Sequence, residues 1–149
     1  MNEMEHSAVE FYKNGYSCSE SIIRASYACE YLDSTIDIEV LNQIASSFSA
    51  GMGESGCLCG AVSGAQMVLG ANFGRKNSET NAQSIKSISK AFIEKFKEKR
   101  TVTCCRVLTK GMDFHSPERK SHCVSIVKEV AGLLDRAIIH NSSASSLGD

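Results

Sequence analysis

Along most of the chain the apolar residues recur at spacings of three and four, the period of a helix with one face turned inward. Ala8, Val9, Phe11 and Tyr12 lie within three turns of a first segment from Glu5 to Asn14, which Gly15 then stops. Ser17-Cys18-Ser19-Glu20 has the Ser-x-x-Glu form of a capping box and opens a second helix, through Ile22, Ile23 and Ala25 to about Tyr31. Asp37 is the expected N-cap of a third, whose stripe is Val40, Leu41, Ile44, Ala45 and Phe48, with Gly51 and Gly53 as its stop. A fourth helix is predicted from about Cys57 to Gly74, and a fifth, amphipathic one from Ser78 to about Lys99 with Ile85, Ile88, Phe92 and Phe96 inward. A short helix begins at Cys104-Cys105-Arg106 and ends by Gly111. Pro117, flanked by Ser116 and Glu118, opens the last, which runs to about Ile139 and places Cys123, Ile126, Val127, Val130 and Leu134 on one face.

This pattern predicts an all-α, single-domain bundle of six to seven helices over residues 1–140, followed by a Ser-rich disordered tail at 141–149. A chain of 149 residues is long enough to bury a core without covalent staples. A formal net charge of -1 excludes a strongly basic nucleic-acid footprint. The N-terminus is polar and acidic, unlike a secretory signal, so a cytoplasmic location is expected. The longest uncharged run, between Glu54 and Arg75, holds Ser55, Ser63, Gln66 and Asn72 and reads as a buried helix, not a membrane insertion. Gly60 and Gly64 give that helix a narrow face that another backbone, a second copy of the chain in a homodimer, or a bulky cofactor can approach.

The seven cysteines change the picture, because in a reducing compartment such a set points to metal or redox chemistry before a disulfide framework. Cys18, Cys59 and the Cys104/Cys105 pair fall at predicted helix starts, where unpaired N–H groups and the macrodipole favour anions and lower a thiol pKa. With Cys123 on an inward face, four elements can converge on one pocket; the bland alternative is that these are small buried hydrophobes. Cys57-Leu58-Cys59 and Cys104-Cys105 are too tight for a zinc knuckle, and no Cys-x-x-Cys occurs, so any metal ligands come from distant parts of the chain. Gly51-x-Gly53-x-x-Gly56 matches a dinucleotide fingerprint in form, but no strand precedes it, and it reads as a flexible entry to the Cys59 helix. His115 and His122 leave a mixed Cys/His site open, Arg106 is placed to offset a thiolate or cluster charge, and the lysines from Lys86 to Arg100 form a solvated face or a docking surface for an acidic redox partner.

The block Cys59-Gly60-Ala61-Val62-Ser63-Gly64, preceded by Gly-Tyr-Ser-Cys at 15–18 and followed by Cys105-Arg106 and Cys123, resembles the C_GCAxxG_C_C family of redox-active proteins over about residues 8 to 138. The resemblance implies a small helical redox protein whose four motif cysteines are Cys18, Cys59, Cys105 and Cys123. Some relatives are joined or related to cytochrome-type carriers in which an iron-sulfur cluster is bound. On that basis the expected function is a cytoplasmic redox protein whose four cysteines ligate an iron-sulfur cluster for electron transfer with a redox partner protein, Gly60, Gly64 and Arg106 lying against the group. The alternatives are a metal-free thiol-disulfide oxidoreductase on the same cysteines, and a closed zinc site in a binding module. Cys57 or Cys104 can replace or resolve the neighbouring motif cysteine.

Overall fold

In the computed structural model, which describes residues 1–147, the chain forms an all-α bundle of seven helices and one irregular helical turn. They are α1 (Glu3–Lys13), α2 (Cys18–Ala28), α3 (Ile38–Ser46), the turn α4 (Ser49–Met52), α5 (Gly60–Phe73), α6 (Gln83–Arg100), α7 (Cys105–Leu108) and α8 (Pro117–Leu147). Among the described residues no helix is long and apolar enough to cross a membrane.

The centre of the bundle is α5, because its sequence leaves no polar face. Gly60, Ala61, Val62, Ser63, Gly64, Ala65, Val68 and Leu69 are all buried, as a helix surrounded by others requires. It packs most extensively on α2 and also on α6 and α8, while α1 lies across α2 and α8. Phe92 and Phe96 of α6 and Ile126, Val127, Val130 and Leu134 of α8 complete the core. The capping box at Ser17 forms as the sequence predicts, with Glu20 reaching back to the Ser17 N–H at 2.8 Å.

Three differences from the sequence pattern bear on the site. First, α5 begins at Gly60 rather than near Cys57, because Cys57–Cys59 is extended and pairs with Thr103–Cys105. Leu58 faces Cys104 across an isolated antiparallel bridge, closed by Cys105 N–H to Cys57 O at 2.6 Å and Cys59 N–H to Thr103 O at 2.8 Å. This non-local pairing leaves no periodic trace in either segment. Second, the glycine-rich stretch is a left-handed turn and not a flexible entry. Ala50, Gly51, Met52, Gly53 and Glu54 have φ of 55°, 70°, 68°, 63° and 65°, a run that costs each non-glycine residue about 1–2 kcal/mol. Gly53 N–H to Ser49 O and Cys57 N–H to Gly51 O, both 2.9 Å, hold it. Third, α6 starts five residues late, at Gln83, and α8 continues past Ile139 to Leu147. The expected tail therefore falls partly on α8, and its Gly148 and Asp149 lie outside the described residues.

Candidate functional site

Four separate elements deliver the motif cysteines to one place. Cys18 is the first residue of α2, directly after its cap, Cys59 is the N-cap of α5, Cys105 is the first residue of α7, and Cys123 lies in the second turn of α8. All four line a single cavity of about 210 Å³ between the start of α2 and the face of α8 that carries Ile126 and Val127. The bridge between Leu58 and Cys104 fixes Cys59 beside Cys105, and the left-handed turn contributes Ser49, Ala50 and Glu54 to the wall.

Gly60 lines the cavity because nothing larger fits there: a Cβ would stand 2.3 Å from the Cys18 sulfur and 3.1 Å from the Phe48 carbonyl. Gly64 does not reach the cavity. Its narrow face receives α2 itself, and a Cβ would meet the Ser19 carbonyl oxygen at 2.7 Å. Arg106 does not line the cavity either; its side chain runs outward and Nη2 donates to the Ser55 carbonyl at 2.9 Å. Arg119, one turn before Cys123, takes the place expected for it, with Nη2 3.8 Å from the Cys105 sulfur and its guanidinium 4.2 Å over the Phe114 ring. Tyr12 of α1 is the other group the sequence left unmarked; it read as one more apolar position on its stripe, yet its hydroxyl meets the Cys123 sulfur. The i, i+4 spacing of Arg119 and Cys123 was the one available signal for the arginine.

Cys29, Cys57 and Cys104 stay outside the cavity. Cys57 is exposed, and Cys104 donates its thiol to the Gly56 carbonyl at 3.0 Å. His122 is turned away, with Nε2 2.8 Å from the Leu108 carbonyl, and His115 is exposed against Phe114, so no histidine joins the four thiols.

At Cys18 and Cys59 burial overturns the expectation of a low thiol pKa at a helix start. Cys59 is pushed up to about 12, chiefly by desolvation and then by the nearby Cys18; the N–H groups of Val62 and Ala61 at the head of α5 pull the other way and lose. Cys18 is raised by burial against the N–H groups of Ala50 and Ser19. Cys123 is raised by burial although Arg119 and the Tyr12 hydroxyl favour its thiolate. The cysteines also raise one another, Cys18 through Cys123 and Cys105, and Cys59 through Cys18 and Cys105. At neutral pH Cys18, Cys59 and Cys123 are therefore protonated thiols, each held so chiefly by burial. Among the described residues no three His, Cys, Asp or Glu groups stand close enough together to hold one metal ion.

Fold and site together define a helical protein in which four cysteines from four elements line one cavity. Residues 16–137 match the family model described as "Putative redox-active protein (C_GCAxxG_C_C)", and the chain belongs to that family. No curated protein and no solved structure matches it significantly.

Proposed function

We propose that Cys18, Cys59, Cys105 and Cys123 ligate a metal centre, an iron-sulfur cluster, and that the protein carries electrons in the cytoplasm to or from a redox partner protein. The observation that carries this reading is the convergence of these four cysteines, and no others, on one cavity. The donor set fits such a group by its chemistry. Four soft sulfur donors with no competing histidine suit iron-sulfur or zinc ligation. The thiols must lose their protons to bind, and a cation among them would offset both the burial that chiefly holds those protons on and the repulsion between neighbouring thiolates. When bound, the cluster supplies one-electron chemistry.

The rest falls to this chain's own side chains. Arg119 sets a fixed positive charge beside Cys105, and Phe114 beneath the guanidinium holds it in place. Tyr12 meets Cys123 and supports its thiolate. The N–H groups of Ala50 and Ser19 do the same for Cys18, and those of Val62 and Ala61 for Cys59. Ile126 and Val127 keep the inner wall apolar. Since the described sulfurs do not already form a ligating group, loading requires them to close on the ion.

The lack of a ready three-ligand group among the described residues favours a second reading, a metal-free thiol-disulfide oxidoreductase in which two of the same four cysteines form a disulfide. High thiol pKa values make such exchange slow at neutral pH. Anaerobically purified protein, scored for iron, labile sulfide, zinc and visible absorption, separates the readings. Iron with sulfide and charge-transfer absorption that disappear in Cys59→Ser support the cluster; zinc without colour gives a structural site. Metal-free protein with a thiol count that drops by two on mild oxidation gives the dithiol.

A further inference from the structure

A second cleft, of about 180 Å³, opens on the outer side of the cysteine cavity. Ala50, Glu54, Cys105, Thr109, Phe114 and Arg119 line both spaces. Cys105 is the one motif cysteine that this outer cleft reaches. Two guanidinium groups border it, Arg106 and Arg119. Both are held by main-chain carbonyls rather than carboxylates, Arg106 by Ser55 at 2.9 Å and Arg119 by Phe114 at 3.2 Å. Among the described residues the one ion pair is Arg100–Glu129, so neither cleft arginine is paired with a carboxylate. Glu54 also lines the cleft, which leaves two positive charges against one negative. Each guanidinium retains uncommitted N–H donors in the planar fork that matches carboxylate and phosphate oxygens.

We propose that this cleft binds a small carboxylate- or oxyanion-bearing molecule against the sulfur of Cys105, and so is the port through which a small reactant meets the cysteine centre. Its size excludes a folded partner and suits a molecule smaller than a drug-sized ligand. The function of the port rests on the redox reading above, whereas anion binding in the cleft does not.

The test uses two alkylating reagents of similar shape, anionic iodoacetate and neutral iodoacetamide, on the reduced full-length protein, with adducts at each cysteine followed by peptide mass spectrometry. The thiolate attacks either reagent at the iodine-bearing carbon and displaces iodide, so the ratio of the two rates at one cysteine is independent of that thiol's ionisation. The same protein unfolded in urea supplies the reference ratio, because Cys57, although exposed, stands beside Arg106, both reaching the Ser55 carbonyl. The iodoacetate-to-iodoacetamide ratio at Cys105 should be about threefold higher in the folded than in the unfolded protein, the size expected for a partly solvated charge contact. Inorganic phosphate should return it to the unfolded value, and Arg106→Gln, whose side chain is exposed, should lower it part of the way, since Arg119 stays in the cleft. An equal ratio in folded and unfolded protein, an excess that phosphate or Arg106→Gln leaves unchanged, or a folded-state Cys105 that neither reagent reaches while Cys57 is fully modified overturns the proposal. Metal loading, read separately by absorbance, keeps the two readings apart. A charge-selective Cys105 in protein that never takes up metal keeps the anion cleft and removes the cluster, and a loaded protein with no selectivity does the reverse.

Discussion

Replacing Gly64 by alanine should destabilise the protein, whereas the same replacement at Gly70, six residues along the same helix, should stabilise it. A Cβ at Gly64 lies 2.7 Å from the Ser19 carbonyl oxygen, 3.2 Å from Ile22 Cβ and 3.3 Å from Ser19 Cα. Two of these three are main-chain atoms of α2, held by the helix ladder, so relief requires α2 and α5 to move apart. Overpacking of this kind costs about 1–3 kcal/mol, and alanine recovers about 1 kcal/mol of helix propensity. With backbone as the obstacle the net loss should be about 1–2 kcal/mol. At Gly70 nothing lies within 4 Å of the added carbon, so the propensity gain stands alone, about 1 kcal/mol in the stabilising direction. For a domain of this length these correspond to a Tm lowered by about 3–6 °C and raised by about 3 °C. The assay is thermal unfolding of reduced, metal-free protein followed by circular dichroism. A Gly64→Ala protein as stable as the wild type would refute the close approach of α2 to α5, because no other contact at that position opposes the alanine.

Gly60→Ala places its carbon against the Cys18 sulfur, a side-chain atom that rotation about χ1 can carry away, rather than against main chain alone, so it should lower Tm less than Gly64→Ala does and, on the metal reading proposed above, reduce loading, measured as iron or zinc per chain. In metal-free protein, stability should fall as pH rises above the ordinary thiol range. Solvent-exposed thiols ionise near pH 9.0 while Cys59 keeps its proton to about 12, so its contribution is complete below the unfolded value and is lost on the way up to the folded one. Three units set an upper bound of about 4 kcal/mol, and in Cys59→Ser the alkaline fall in urea-unfolding stability should be shallower. Thr101 sits at φ 72°, ψ -47° in a γ-turn closed by Val102 N–H to Arg100 O at 2.8 Å. Thr101→Gly should therefore gain about 1 kcal/mol in the same assay, and an unchanged midpoint would show that the turn carries no strain.

The helices were legible because each announces itself within a dozen residues, through an apolar stripe, a cap or a stop. Ser17 with Glu20, Asp37, and Pro117 all mark starts that the structure keeps within a residue. What escaped are features whose cause lies elsewhere in the chain. The extended Cys57–Cys59 exists because Thr103–Cys105 pairs with it. The left-handed run from Ala50 to Glu54 includes alanine, methionine and glutamate, residues that carry no local signal for positive φ. Gly51 and Gly53 did mark the interruption, but the same glycines suit a loop, a dinucleotide turn or a left-handed coil, and tertiary context selects among these.

For the cysteines the order of effects explains why their placement was readable and their chemistry was not. Their positions at helix starts follow from caps and periodicity, so the convergence of Cys18, Cys59, Cys105 and Cys123 could be expected from local patterns together with the motif. A helix N-terminus contributes about 0.3–1 kcal/mol toward an anion. At Cys59 the rise to about 12 amounts to about 4 kcal/mol against it. Depth in the core thus outweighs position on the helix, and depth is set by α5 lying at the centre of the bundle and by Gly60 admitting the Cys18 sulfur. Arg106 and Arg119 make the same point. Adjacency in sequence placed Arg106 beside Cys105, but successive residues of a helix point in different directions. One turn of α8 instead brings Arg119 to the Cys105 sulfur and leaves Arg106 facing the outer cleft. Cys18, Cys59 and Cys123, kept neutral chiefly by burial with the Arg119 cation at the cavity's edge, resist ionisation, and that resistance is what the alkaline titration of Cys59 measures.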